Sequence, residues 1–125
     1  MSEIGTMLAD TAERLFASHA DAIDRAASDG SWPAAAWAAI EESGLPLALV
    51  PEEHGGFGVP VTEALALIRL AGRHALALPR AETIVANAAL AAAGLPLAEG
   101  PAGLADNEQA RVPWGRFATT IVTAS

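Results

Sequence analysis

Between Glu3 and Ala27 the apolar positions recur at helical rather than strand spacing. Ile4, Met7, Leu8, Leu15, Ile23 and Ala26 fall near one stripe, with Glu13, Arg14, Asp21, Asp24 and Arg25 mostly off it. This predicts one amphipathic helix over 3–27. Asp29-Gly30-Ser31 supplies the turn chemistry that ends it. Pro33 suits the first position of a second helix, where its missing N–H is harmless. Trp37 and Ile40 share a face of that helix, and Gly44 offers a left-handed cap at its end.

The segment from Leu45 to Pro60 breaks the helical pattern. Its prolines and glycines exclude a regular helix, yet Leu45, Leu47, Leu49, Val50 and Val59 are too apolar for a disordered linker. An ordered connection lying against a core is expected. Thr62 can cap a third helix over 62–76 that carries Leu65, Ile68 and Leu70. Pro79 can open a fourth, running to Ala93 and stopped by Gly94 and Pro96. Residues 96–111 read as irregular, with a short apolar piece around Leu104. Val112-Pro113-Trp114-Gly115-Arg116 is turn-like, and the β-branched run Thr119 to Thr123 has strand composition. No earlier segment offers that strand a partner, and a lone strand is not stable. The pattern therefore predicts a helical unit over 1–111 and the first residues of an incomplete β-rich unit over 112–125, in a chain cut short.

Composition sharpens the picture. Hydrophobic residues are 52% of the 125, but 31 of them are alanine, which favours helix and thins the core. The net charge is −8, and the seven basic residues are all arginine. So acidic a chain lacks the electrostatic footprint for nucleic acid or an anionic membrane. Without cysteine there is no disulfide, thiolate nucleophile or cysteine-held metal, and without lysine no Schiff base or P-loop lysine. The apolar run 88–98 is shorter than the roughly 20 residues of a membrane span. The start of the chain has no basic n-region of a secretory signal. A cytoplasmic chain is expected.

Gly55-Gly56-Phe57-Gly58 invites a phosphate-cradle reading, but Glu52 and Glu53 stand beside it and would repel an anion. A tight turn using the positive φ open to glycine accounts for it better. Glu52, Glu53 and His54, if extended, point to alternate sides and do not converge on an ion. His19 and His74 lack metal-site spacing with His54; no metal site is expected. Arg69 and Arg73 share a helix face, with His74 and Arg80 nearby. They face either acids or phosphates of another unit, or simply the helix C-terminus and this chain's own acids. Trp32 and Trp37 read as packing residues, with no basic groove for stacking bases.

The connection from Gly44-Leu45 through Val50-Pro51-Glu52-Glu53-His54-Gly55-Gly56-Phe57-Gly58 resembles the signature of flavin-dependent acyl-CoA dehydrogenases, with His54 in place of the usual aromatic. The helix ending at Gly94 and the strand after Val112-Pro113-Trp114-Gly115 resemble later parts of that family. The resemblance covers essentially the whole chain. It implies an all-α, orthogonal helical bundle of the family's N-terminal type, ending in a stub of its central β-domain. It implies FAD as cofactor, bound by portions absent from this chain, so that no cofactor is expected here and the chain alone is inactive. It further implies an acyl-CoA substrate, an electron-transfer flavoprotein as partner, and homo- or hetero-oligomers. No catalytic or flavin-binding residue can be assigned. Pro51, Glu52, Glu53, Gly55, Gly56 and Gly58 are its structural signature. Leu78, Ala81, Glu82 and Val85 match positions that line the acyl cavity, although ordinary core would explain them as well. A non-catalytic partner subunit and a free-standing helical interaction module are the other functional readings.

Overall fold

In the computed structural model, which describes residues 2–73, 78–105, 112 and 114–123, Ser2 opens the first helix. Its Oγ accepts the Gly5 N–H at 3.1 Å, satisfying one of the donors that a helix start leaves bare. Helix α1 spans Glu3–Asp29 and closes on Gly30 at φ 71°, two residues beyond the predicted end. Helix α2 spans Ala34–Ser43, with Pro33 as the residue before its first turn and Gly44 at φ 84° as its cap. Helix α3 covers Val61–Arg73 and helix α4 Arg80–Ala92. Thr62 is not the cap of α3: the helix starts one residue earlier, and Pro60 O accepts the N–H groups of Glu63 and Ala64. The predicted end of this helix, 74–76, lies outside the described residues.

The buried stripe of α1 is Gly5, Leu8, Ala12, Phe16, Ile23 and Ala26. Ile4 and Met7, expected on it, are exposed, and so is Leu65 on α3, where Ala64 and Leu67 are buried instead. The cause is the contact between α1 and α3. Gly5, Ala12 and Ala64 are buried there, so the small residues face in and the neighbouring large ones turn out. Alanine is so frequent along this chain that its placement carried no visible period. Leu8, Phe16, Ile23, Trp37, Ile40, Leu45, Leu67 and Leu78 form the core with these small residues.

The strand near the C-terminus is paired. Strand β1, Ala102–Ala105, runs parallel to strand β2, Thr120–Thr123, in the register Ala102 to Thr120 and Ala105 to Thr123. The expectation of a lone strand is thus corrected, and the pairing crosses the predicted division at 111/112. Ala-Gly-Leu-Ala gives β1 no strand composition of its own. Its extension is imposed by β2 on one side and by α4, against which it packs, on the other. Val112 covers Gly103, where an added Cβ would lie only 2.5 Å from Val112 Cγ1. Among the described residues no helix is long and apolar enough to cross a membrane.

Candidate functional site

The connection between α2 and α3 folds on itself. Leu45–Leu47 and Glu52–His54 each make one 3-10 turn. The carbonyl of Leu47 accepts the N–H of Phe57 at 3.2 Å, Val50 accepts Gly58 at 2.8 Å, and Ala48 accepts Val59 at 3.0 Å. Gly55 N–H goes to Glu52 O and Gly56 N–H to Pro51 O. The amides of residues 55–59 are therefore all spent inside the loop, and none is left to cradle a phosphate. Gly55 at φ 90° and Gly58 at φ 59° take the left-handed backbone that glycine favours. At Gly56 an added Cβ would collide with the Val50 carbonyl, and at Gly44 with the Phe57 ring. Gly56 is thus required by chain approach, Gly55 and Gly58 by their left-handed backbone, and Pro51 sets the start of the second turn.

Glu52, Glu53 and His54 occupy that 3-10 turn rather than an extended segment, and all three are exposed. At three residues per turn they splay apart around it. Among the described residues no three His, Cys, Asp or Glu side chains gather to hold a metal ion.

Two polar side chains that sequence reasoning missed organise the far side of this loop. Thr83 and Asn87, one turn apart on α4, are each 1% exposed. Thr83 Oγ1 donates to Pro79 O at 2.6 Å and accepts the Ala102 N–H at 3.0 Å. Asn87 Nδ2 donates to Pro46 O at 3.3 Å, and its Oδ1 accepts the Ala98 N–H at 2.9 Å. Helix α4 is thereby tied to the signature loop, to the segment after Gly94 and to β1. The available signal was a polar pair at i, i+4 inside an alanine-rich helix.

The four resemblance-derived pocket positions do not share one surface. Leu78 precedes α4 and is buried in the core. Ala81 and Glu82 are half-buried in the first turn of α4, and Val85 is 43% exposed one turn on. Arg69 is exposed, while the side chain of Arg73 and all of His74 lie outside the described residues. Arg80 turns inward instead, its guanidinium 5.8 Å from the Phe16 ring centroid. It stands at the first residue of α4, where the helix dipole opposes a cation. Burial lowers its pKa, and the Glu82 charge works against that shift.

A cavity of about 20 Å³ separates the four helices, lined by Phe16, Trp37, Ile40, Leu67, Arg80 and Ile84 among others. Trp37 Nε1 is buried without a hydrogen-bond partner among the described residues. Trp32 packs where expected, but in a larger cluster, stacked on Phe117 at 5.2 Å and edge-on to Trp114 at 6.0 Å. Trp114, and not Gly115, takes the left-handed position of that turn, at φ 65°. At the other end of the molecule Glu63 is mostly buried and accepts from Ser2 N and Ser2 Oγ at 2.5 and 2.8 Å. The backbone bond first, and the hydroxyl second, hold its carboxyl below the usual range.

The family model described as the acyl-CoA dehydrogenase N-terminal domain matches residues 2–98, from the cap of α1 to the residue bonded by Asn87. The chain belongs to this family. No curated protein and no solved structure matches the chain. As an acyl-CoA dehydrogenase N-terminal domain it is mostly helical, with the two-stranded sheet attached beyond the matched region. Its signature loop lies inside that region.

Proposed function

We propose that this chain is the N-terminal portion of a flavin-dependent acyl-CoA dehydrogenase and contributes packing surface and part of an acyl pocket. It is catalytically incomplete alone. The match over residues 2–98 carries this reading. The outward side of α4 supports it. Ala81, Glu82 and Val85 lie there within reach of a ligand or a neighbouring unit, and Leu78 supports the helix start from the core. The α,β-dehydrogenation of an acyl thioester, with an electron-transfer flavoprotein as acceptor and oligomeric assembly, is the activity in which the chain takes part.

The cavity between the helices, about 20 Å³, is far below the roughly 300 Å³ that a flavin-sized ligand needs, and the open groove of about 460 Å³ along α1 sets Glu3 and Asp10 beside Arg14, a poor match for a pyrophosphate. The loop amides that could face a pyrophosphate are already bonded. We place the division between units after residue 111, with the two strands, one from either side, joining them.

The purified chain, saturated with FAD and passed through gel filtration, tests this. It is expected to emerge colourless and to reduce no dye when given acyl-CoA thioesters of graded length. Retained flavin absorbance together with turnover would overturn the incomplete reading.

A further inference from the structure

We propose that the outer faces of α1 and α3 dock on a second copy of this chain across a two-fold axis, with Leu65 of one protomer against the partner's Met7 and Arg69 against the partner's Glu3. The surface belongs to this chain's own helices and does not rest on the dehydrogenase reading. Ser2 at the start of α1 is bonded through its backbone N and its Oγ to Glu63 in the first turn of α3, so the two helices begin side by side. Both bury their other faces in one core, α1 with Leu8, Ala12 and Phe16 and α3 with Ala64 and Leu67. Their exposed faces therefore open outward at the same end of the molecule. Half of the large apolar side chains exposed among the described residues lie there, Ile4 and Met7 on α1 and Val61 and Leu65 on α3. Each is within a few residues of Ser2 or Glu63, about 8 Å or less along its helix axis. Monomers rarely leave such apolar groups clustered in solvent.

Shape and charge select a second copy as the occupant. An open groove of about 460 Å³ runs along α1, lined by Glu3, Met7, Asp10 and Arg14 with Thr6 and Thr11 between them. Helix α3 carries the matching ridge: Val61, Leu65 and Arg69 follow one another at i, i+4 and i+8, all exposed. Because the helices start together, a two-fold axis through their outer face turns the partner's α3 antiparallel to α1. Glu3 lies four residues before Met7, and Arg69 four residues after Leu65. With Leu65 on the partner's Met7, both charges then stand about 6 Å further along in the same direction and meet. The symmetry makes this contact twice, an apolar pair and an opposite-charge pair each time. The net charge of −8 sets two copies against each other wherever acids dominate, whereas here Glu3 and Asp10 are balanced by Arg14 and Arg69. A strongly basic or strongly acidic partner would leave half of these charges opposed.

Sedimentation equilibrium of the full chain tests this, in an Ile121→Lys background that blunts pairing at the exposed strands. A dimer is expected to remain there. Leu65→Lys and Met7→Lys should each weaken it by more than about tenfold, the loss of one leucine-sized contact. Glu3→Arg and Arg69→Glu should each weaken it as well, and the two together should restore it, which no loss of folding can imitate. The chain has no cysteine, so Met7→Cys and Leu65→Cys each supply a single thiol. Mild oxidation of a one-to-one mixture of these two proteins should give a covalent dimer faster than either protein alone. Should a lysine variant fail to fold, the charge exchange and the cross-link still decide. A monomer at every concentration, a dimer indifferent to the charges at positions 3 and 69, or cross-linking no faster in the mixture would overturn the proposal.

Discussion

A single hydroxyl on α4 decides where β1 begins. Thr83 Oγ1 accepts the N–H of Ala102, a residue with no exposed surface. Thr83→Val keeps the shape and removes the acceptor, stranding a buried amide. We expect a loss of about 1–3 kcal/mol, read as a lower denaturation midpoint at unchanged slope. Some residue-scale features were legible because they are local. Gly44 caps α2 as predicted, and Gly30, read only as part of the turn after α1, caps that helix in the same left-handed way, since such a cap is decided by the last turn alone. Trp114 was not legible. Its positive φ runs against the preference of a bulky side chain, and it is held by the stacking of residues far away in sequence.

At the scale of elements, four helices were readable from spacing, caps and prolines, but their inward faces were less so. The buried faces of α1 and α3 include the small residues Gly5, Ala12 and Ala64, which a hydrophobic period does not separate from the other alanines. β1 was missed because its sequence has no strand character and its conformation comes from its partners. One electrostatic tie joins α1 to α3. The Glu63 carboxylate, bonded by Ser2 at the start of α1, is stabilised in its charged form when folded. A folded pKa below the unfolded one gives stability that is fully present above the ordinary carboxyl value, about 4.3. It is lost as pH falls through that value toward the lowered one. Denaturant melts between pH 6 and 3 are expected to show this decline, and Glu63→Gln to flatten it while lowering stability at pH 6.

For the whole molecule, the exposed apolar groups matter most. Ile121 is 46% exposed and Leu104 37%, on a parallel sheet that has two strands among the described residues. Parallel strands are ordinarily covered on both faces, and open edges invite pairing with another chain. Concentration-dependent self-association is expected in sedimentation velocity despite the net charge of −8. Ile121→Lys should weaken it, because a charge on an exposed strand opposes edge pairing. The family was legible from the loop between α2 and α3, whose glycines answer to local demands of the backbone, close approach at Gly56 and positive φ at Gly55 and Gly58. The far end of the chain was less legible, because its turn is fastened by aromatic rings rather than by backbone pattern. That fastening has an optical side. Trp32 lies 5.6 Å from Trp37 and 6.0 Å from Trp114, close enough for the indoles to share their excited states. Trp32 and Trp37 share theirs in any case, whereas Trp114 joins them only while residues 114–117 are seated on the joint between α1 and α2. The near-ultraviolet dichroism of this chain is therefore a built-in gauge of whether its last strand is docked, readable without any label.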